Sequence, residues 1–465
     1  LPNAVLEMLL AYQQHSENGQ TPALKQHTPD FLATEMKVLK WVREGGLTQE
    51  NFQTLLGPYL EHSQHMHHPG FIGHQVAVPH EGSTIADMIH GVINNPMAVY
   101  EMGPTASVLE RVVVNWMLEK VGWLNGPVDG FEFQAGHGSG VLTHGGSLAN
   151  LTAVLAARAH ACPEAWEQGT PDNLAIITPA ISHYSMARAI SIAGFGAKAA
   201  YPAPVDALGV LRPEDLEATY KSARDDGRQV ILVSANACAT ATGLYDPLDE
   251  VADFCQAHKL WFHVDGAHGA SALVSDKYKH RLRGVHRADS LTWDAHKMMR
   301  TSALSAAILF KDASTMASTF HQDASYIFYG DDRPGFDVGP FAIECTKSAL
   351  GTKLFMVLAM EGEQGIGQFV EKQYEDTLDF YHLINSQDDF ECPYVPEANI
   401  LCFRYLGAPD NAAQQTVRAE VLKRGNFYIT SAEVNGMRYL RLSVMNPLTT
   451  RETIVALLEE IRECA

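Results

Sequence analysis

The sequence predicts an α/β fold built on a mostly parallel sheet, and three observations carry that prediction. Apolar runs of strand length, LAIITP (174–179), QVILVSAN (229–236) and LWFHVD (260–265), alternate with helical stretches. The runs are nearly continuous in apolar residues, as in strands covered on both faces. The polar residues with chemical potential fall just past the ends of these runs, where such sheets bind ligands.

The elements follow in order. Residues 1–60 read as helical, with TEMKVLKWVREG a clear amphipathic segment. A His-rich turn, EHSQHMHHPGFIGHQ, comes next. SVLERVVVNWMLEKVGW then forms a helix that stops at Gly122. Helices are expected over SHYSMARAISIAG and PLDEVADFCQAHK, and further strands over SLTWD (290–294) and SALSAAILF. Beyond about 345 one long helix is expected through ECTKSALGTKLFMVLAMEGEQGIGQFVEKQYEDTLDFYHLI. NILCFRYLG, NFYITSAEVNG and MRYLRLSVMNP, closed by a helix over 449–463, form a small α+β domain. We find no internal repeat and no low-complexity tract.

Bulk properties exclude several function classes. The chain has 465 residues, 46% of them apolar, enough for two or three domains with sizeable cores. Its formal net charge is −20, from 34 basic and 54 acidic residues, with no basic run. That argues against nucleic acid as a partner, because phosphate binding needs concentrated positive charge. The 7 cysteines include no C-x-x-C pair, so reduced thiols are expected. No apolar run approaches a membrane span. The opening LPNAVLEMLLAYQQ lacks the basic region of a secretory signal. The expected location is cytoplasmic.

Three motifs carry chemistry. In LTHGGSLANLTAVLAARA, Gly145, Gly146 and Ser147 lead into a long Ala/Leu helix. Free N–H groups and the dipole at a helix start attract phosphate, although many such turns are only caps. In HVDGAHGAS, Asp265 ends a buried strand. It could join His263 and His268 on a metal, pair with a protonated heterocycle, or cap a turn. In SLTWDAHKMM, Lys297 follows the next strand, beside Trp293, Met298 and Met299. An amine set among apolar groups becomes nucleophilic, whereas a snorkelling lysine stays solvated. A phosphate cradle, an aspartate and a lysine at neighbouring strand ends together fit pyridoxal phosphate. A metal requires none of the other parts, and His268 lies beyond a glycine turn, out of strand register.

HGGSLAN, SHYSMARA, HVDGAHGAS, SLTWDAHKMM and LRLSVMNP stand in an order and spacing that resemble the group II pyridoxal-phosphate amino-acid decarboxylases. That family includes glutamate, cysteine-sulfinate, aromatic amino-acid and diaminobutyrate decarboxylases, and the resemblance runs from about 65 to 450. It implies fold type I, the aspartate-aminotransferase-like fold, with a mostly parallel seven-stranded sheet and a small C-terminal α+β domain. It also implies a homodimer with active sites at the subunit interface. The chain then divides into an N-terminal helical dimerisation segment (1–75), a large cofactor domain (76–345) and a small domain (346–465).

The resemblance assigns roles by position. Lys297 resembles the Schiff-base lysine and Asp265 the partner of the pyridine nitrogen. Ala267 matches the residue against the ring, and His183 the histidine stacked on it. Thr240 matches a cofactor-contacting threonine; Gly146, Ser147 and His296 match the phosphate site. Arg441 resembles the arginine that binds a substrate carboxylate, a pairing suited to a guanidinium. No metal is expected.

The chain also departs from the family. Asp294 replaces an asparagine near the phosphate, and ECTK (344–347) replaces CGR. In the loop YIFYGDDRPGFDVG (326–339), Asp332 holds the place of the family's proton-donating tyrosine, with Tyr329 a nearby substitute and His183 a second candidate donor. NNPMAVYEMGP (94–104) resembles the glutamate and cysteine-sulfinate branch, with Ala98 in place of a pocket aromatic. HHPGF (67–71) lacks the arginine of the usual HPRF, and His67 and His68 are expected at the substrate entrance. The cluster His62, His65, His67 and His68 reads as a loop rather than a metal site.

The expected function is α-decarboxylation of an acidic or small polar L-amino acid. The alternatives are a diaminobutyrate or aromatic amino-acid decarboxylase, a transaminase or aldolase-type reaction on the same fold, a metal-dependent hydrolase, and a silent cofactor-binding scaffold.

Overall fold

The computed structural model describes residues 3–126, 136–320 and 337–465. They form two compact units, one of residues 79–374 and one joining 1–78 to 375–465.

The larger unit is organised by seven strands: β1 (Ser139–Thr143), β2 (Leu174–Pro179), β3 (Ala200–Ala203), β4 (Gln229–Asn236), β5 (Trp261–Asp265), β6 (Ser290–Asp294) and β7 (Ala306–Phe310). Their order is β1-β7-β6-β5-β4-β2-β3. The pairs β2–β3, β2–β4, β4–β5 and β5–β6 are parallel, and β7 runs against both β6 and β1. Every residue of β5, β6 and β7 is buried, as the apolar runs required. β1 and β3 are short and escaped the sequence reading.

The carboxyl ends of β1, β4, β5 and β6 share one edge of this sheet, so the turns after Thr143, Asn236, Asp265 and Asp294 meet there. The helix Gly146–Ala161 starts directly after β1, entered through Gly145 at φ +107, a conformation that suits glycine. Its inner face is mainly alanine (Ala149, Ala153, Ala156 and Ala157), which lets it pack closely. Helix Pro104–Val121 ends at Gly122 in the left-handed region, as expected.

The second unit holds the sheet β10-β11-β9-β8, antiparallel throughout, made of β8 (Phe390–Glu391), β9 (Ile400–Tyr405), β10 (Thr430–Val434) and β11 (Met437–Ser443). Its core joins Phe403, Leu440 and Leu442 of the sheet to Val417 and Val421 of helix Asn411–Arg424 and to Ile454, Leu457 and Ile461 of helix Arg451–Cys464.

Two expected helices are interrupted. The segment around TEMKVLKWVREG is split into Pro29–Glu35 and Val38–Glu44 by Lys37 at φ +52, with no glycine or proline to mark the break. The long helix begins later than expected, at Leu350, and the stretch Leu350–Asn385 breaks at Gly362, whose φ of +69 other residues rarely adopt. Among the described residues no helix is long and apolar enough to cross a membrane, and no cysteine pair forms a disulfide.

Candidate active site

The turns at the sheet's carboxyl edge enclose a cavity of about 260 Å³. All eight residues expected to hold a cofactor line it: Gly146, Ser147, His183, Thr240, Asp265, Ala267, His296 and Lys297.

Asp265, at the end of β5, is buried. Its Oδ1 accepts from the backbone N–H of Ala267 at 3.2 Å and its Oδ2 from the side-chain amide of Asn150 at 2.9 Å. Asn150 lies one turn into the helix Gly146–Ala161, and all of its hydrogen-bonding capacity is used. Its second amide proton goes to Ser185 Oγ at 2.9 Å. Its carbonyl accepts from Thr292 Oγ1 at 2.7 Å and from His263 Nε2 at 3.2 Å.

This pattern sets the direction of every proton in the network. His263 carries its proton on Nε2, and Nδ1 accepts from Ser290 Oγ at 2.8 Å. Burial drives the pKa of His263 down to about 4, so the ring is neutral. Ser185 Oγ, having accepted from Asn150, donates to His183 Nδ1 at 2.8 Å. The backbone N–H of Ser185 also points to that nitrogen at 3.3 Å, because His183 caps the helix Tyr184–Ile192. His183 Nδ1 therefore accepts twice, which leaves the ring proton on Nε2. Burial lowers the pKa of His183 as well, with Asp265 acting against it.

Lys297 does not sit in a purely apolar sleeve. Its Nζ lies 3.3 Å from Asp294 Oδ2, and Trp293, Met298 and Met299, its neighbours in sequence, are buried. His296 Nδ1 faces the carbonyl of Ser305 at 2.8 Å. His144 also lines the cavity, with Nδ1 against the carboxylate of Glu344 and Nε2 2.7 Å from Ser348 Oγ.

The remaining site expectations fall elsewhere. Ala98 is buried in the larger unit but is not part of this lining; its carbonyl accepts from Gly339 N at 2.8 Å. His68 and Arg441 belong to the other unit. His68 Nδ1 accepts from Gly70 N at 2.9 Å, and Arg441 Nη1 reaches the carbonyl of Gly73 and Thr430 Oγ1, both at 3.3 Å. Tyr329 and Asp332 lie outside the described residues. Both ring nitrogens of His263 are committed to protein partners, and among the described residues no group of three or more His, Cys, Asp or Glu is placed to hold a metal ion.

Sequence reasoning missed Asn150, Ser185 and Thr292. The available signals were a polar residue within an Ala/Leu helix and the two-residue period that puts His263 with Asp265, and Ser290 with Thr292, on one face each.

The cavity suits a phosphorylated pyridine aldehyde. Asp265 keeps lone pairs for a ring N–H, Ala267 adds only a methyl group to the lining, Lys297 offers an amine, and a helix start faces inward. Fold and cavity together define a fold type I pyridoxal-phosphate enzyme.

Comparison with known proteins narrows the class. The family model described as the pyridoxal-dependent decarboxylase conserved domain matches residues 47–406. The chain belongs to this family and is an amino-acid decarboxylase that uses pyridoxal phosphate. It is similar to the acidic amino acid decarboxylase GADL1 of Mus musculus, with 30% identity over 439 residues, covering 90% of this chain and 78% of that protein. The Homo sapiens GADL1 is 29% identical over 439 residues, covering 90% and 82%. The crystal structure of mouse CSAD superposes with a TM-score of 0.88 at 25% identity, covering 100% of this chain and 99% of that one. Oryza sativa TDC, solved with PLP and tryptamine, shares the fold with a TM-score of 0.87 at 21% identity, over 99% and 96% of the two chains.

Proposed function

We propose that the enzyme α-decarboxylates a small acidic L-amino acid, with glutamate, aspartate and cysteine sulfinate as first candidates. The similarity over 90% of the chain to relatives named acidic amino acid decarboxylases carries this reading. The Tyr100–Glu101 pair of the motif at 94–104 supports it. Loss of the arginine in HHPGF keeps 2,4-diaminobutyrate and aromatic amino acids as the second reading.

When bound, pyridoxal phosphate supplies a protonated ring that takes up the electron pair released as the Cα–carboxylate bond breaks. The residues then divide the work. Lys297 would hold the cofactor through its amine. Asp265, fixed by Asn150 and Ala267 N, holds the pyridine proton in place. His183 offers an Nε2–H donor from a ring of fixed orientation. Gly146, Ser147, Thr240 and His296 receive the phosphate. Arg441 is the candidate partner of the substrate's α-carboxylate, and His68 and Ala98 are candidate substrate contacts. The functional form is a cytoplasmic homodimer in which residues 1–75 join the subunits.

Carbon dioxide release by the cofactor-loaded enzyme, measured against glutamate, aspartate, cysteine sulfinate, 2,4-diaminobutyrate, lysine, tyrosine and DOPA, tests the reading. The expected result is release from the acidic members, abolished in Lys297→Ala. Release confined to a basic or aromatic substrate overturns the substrate class.

A further inference from the structure

Asp294 ends β6, is buried, and lies against the first residue of the helix Gly146–Ala161. A methyl group built on Gly146 would stand 2.7 Å and 2.8 Å from its two carboxylate oxygens. Oδ2 faces Lys297 Nζ at 3.3 Å and His296 Nε2 at 3.7 Å. Oδ1 is buried with no hydrogen-bond partner. The side chain thus lies where the helix start attracts anions, the place given above to the phosphate. The charged or titratable groups facing it are Lys297 and His296 from its own turn, Asp265 from β5, and His183 from the start of helix Tyr184–Ile192. One of these is a lysine amine and one a second carboxylate.

We propose that Asp294 is a resident anion in the phosphate slot, and that cofactor loading is coupled to uptake of one proton from solvent by its carboxyl. The proposal rests on the reading of Gly146 and Ser147 as the phosphate cradle. A phosphate dianion and a carboxylate cannot share a buried slot without strong repulsion. Protonation removes the repulsion. It also turns Oδ1 or Oδ2 into an O–H donor toward a phosphate oxygen, which satisfies the atom left without a partner. Burial already holds the pKa of Asp294 above the usual carboxylate range. An asparagine at this position would donate without needing a proton.

The test compares the full-length wild type with Asp294→Asn, both stripped of cofactor. Binding of pyridoxal phosphate and of unphosphorylated pyridoxal is followed by absorbance from pH 6 to 8.5. Proton uptake is read by calorimetry in two buffers of different ionisation heat. One coupled proton makes wild-type affinity for pyridoxal phosphate fall about tenfold more per pH unit than that of the variant, above the pKa of Asp294. Wild type then takes up about one proton more, and pyridoxal does not distinguish the two proteins. The cofactor's own phosphate ionisation is common to both and cancels. Parallel pH profiles with equal proton uptake overturn the proposal. An equal gain for pyridoxal also overturns it, because Asp294 would then act on Lys297 rather than on phosphate. Asp294→Ser serves if the asparagine variant does not fold. Failure of wild type to form a Lys297-dependent absorbance band at any pH would instead refute the cofactor-site reading itself.

Discussion

Asn150 donates one amide proton to Asp265 Oδ2 and the other to Ser185 Oγ, both at 2.9 Å, so a single side chain joins Asp265 to the residue that orients His183. Removing it takes one hydrogen bond from each of four buried groups, Asp265, Ser185, Thr292 and His263. Asn150→Ala is expected to lower stability by about 2–3 kcal/mol, the cost of unsatisfied buried polar groups. Cofactor affinity should weaken about tenfold or more, as is typical when the support of a ligand-binding group is lost. Thermal unfolding and cofactor titration check both, and unchanged affinity would remove Asn150 from the cofactor site.

The double acceptance at His183 Nδ1 makes a spectroscopic prediction. Nitrogen chemical shifts of His183 should show an unprotonated Nδ1 and a protonated Nε2 across neutral pH, with no histidinium above the normal histidine pKa. Ser185→Ala, which keeps the backbone N–H but removes the hydroxyl donor, should partly relax that preference. A histidinium signal at pH 7 would make His183 a stored acid instead of a fixed donor, and would restore it as the carbon-protonating group.

His263 sets a pH window for stability. Its folded pKa, about 4, lies below the unfolded value of 6.5, so the unfolded chain binds more protons between these limits. Stability is then complete above 6.5 and declines as pH falls toward 4, by about 3 kcal/mol for this group. Asp246, raised to about 6 by burial, works in the opposite sense between its unfolded value of 3.8 and 6. The difference between wild type and His263→Asn isolates the histidine. Denaturation of the cofactor-free protein at pH 7 and pH 5 should show a smaller acid loss in the variant.

Lys347 is fully buried against Glu110, and its Nζ also reaches the carbonyl of Leu142, whose N–H donates back to Glu110 Oε1 at 3.1 Å. These bonds fasten β1, immediately before the Gly145–Gly146–Ser147 turn, to helix Pro104–Val121. Lys347→Met should cost about 3–5 kcal/mol, because it strands a buried carboxylate. Lys347→Met with Glu110→Leu should recover a substantial part of the loss. A double variant less stable than the single one would show that the pair is held by more than its charges.

The sequence disclosed the strand ends and the residues that crowd them, because a buried strand announces itself by its apolar run and a turn by its glycines. It did not disclose Asn150 as a hub: a polar residue in an apolar helix shows that a partner exists but not which one. The ion pair to Lys297 was equally hidden, since the apolar neighbours in sequence, Trp293, Met298 and Met299, suggested an uncharged setting. The interruptions at Lys37 and Gly362 left periodicity intact on either side and so read as continuous helix. Arg441, His68 and Ala98 were named by motif alone, and their backbone and side-chain partners emerged only from the fold.

β7 is the strand that reverses direction, and it pairs with β6 along their whole length, Asp294 opposite Ala306 and Ser290 opposite Phe310. Lys297 therefore sits at the tip of a hairpin, cross-tied by His296 N to Ser305 O at 3.0 Å and Thr301 N to Ala295 O at 3.2 Å. The turn that carries Lys297 and His296 is built from neighbours in sequence, whereas Ser147, His183 and Asp265 reach the same cavity from elements far apart in the chain. Amide protection around Lys297 should outlast protection at Ser147 and Asp265 when the protein loosens.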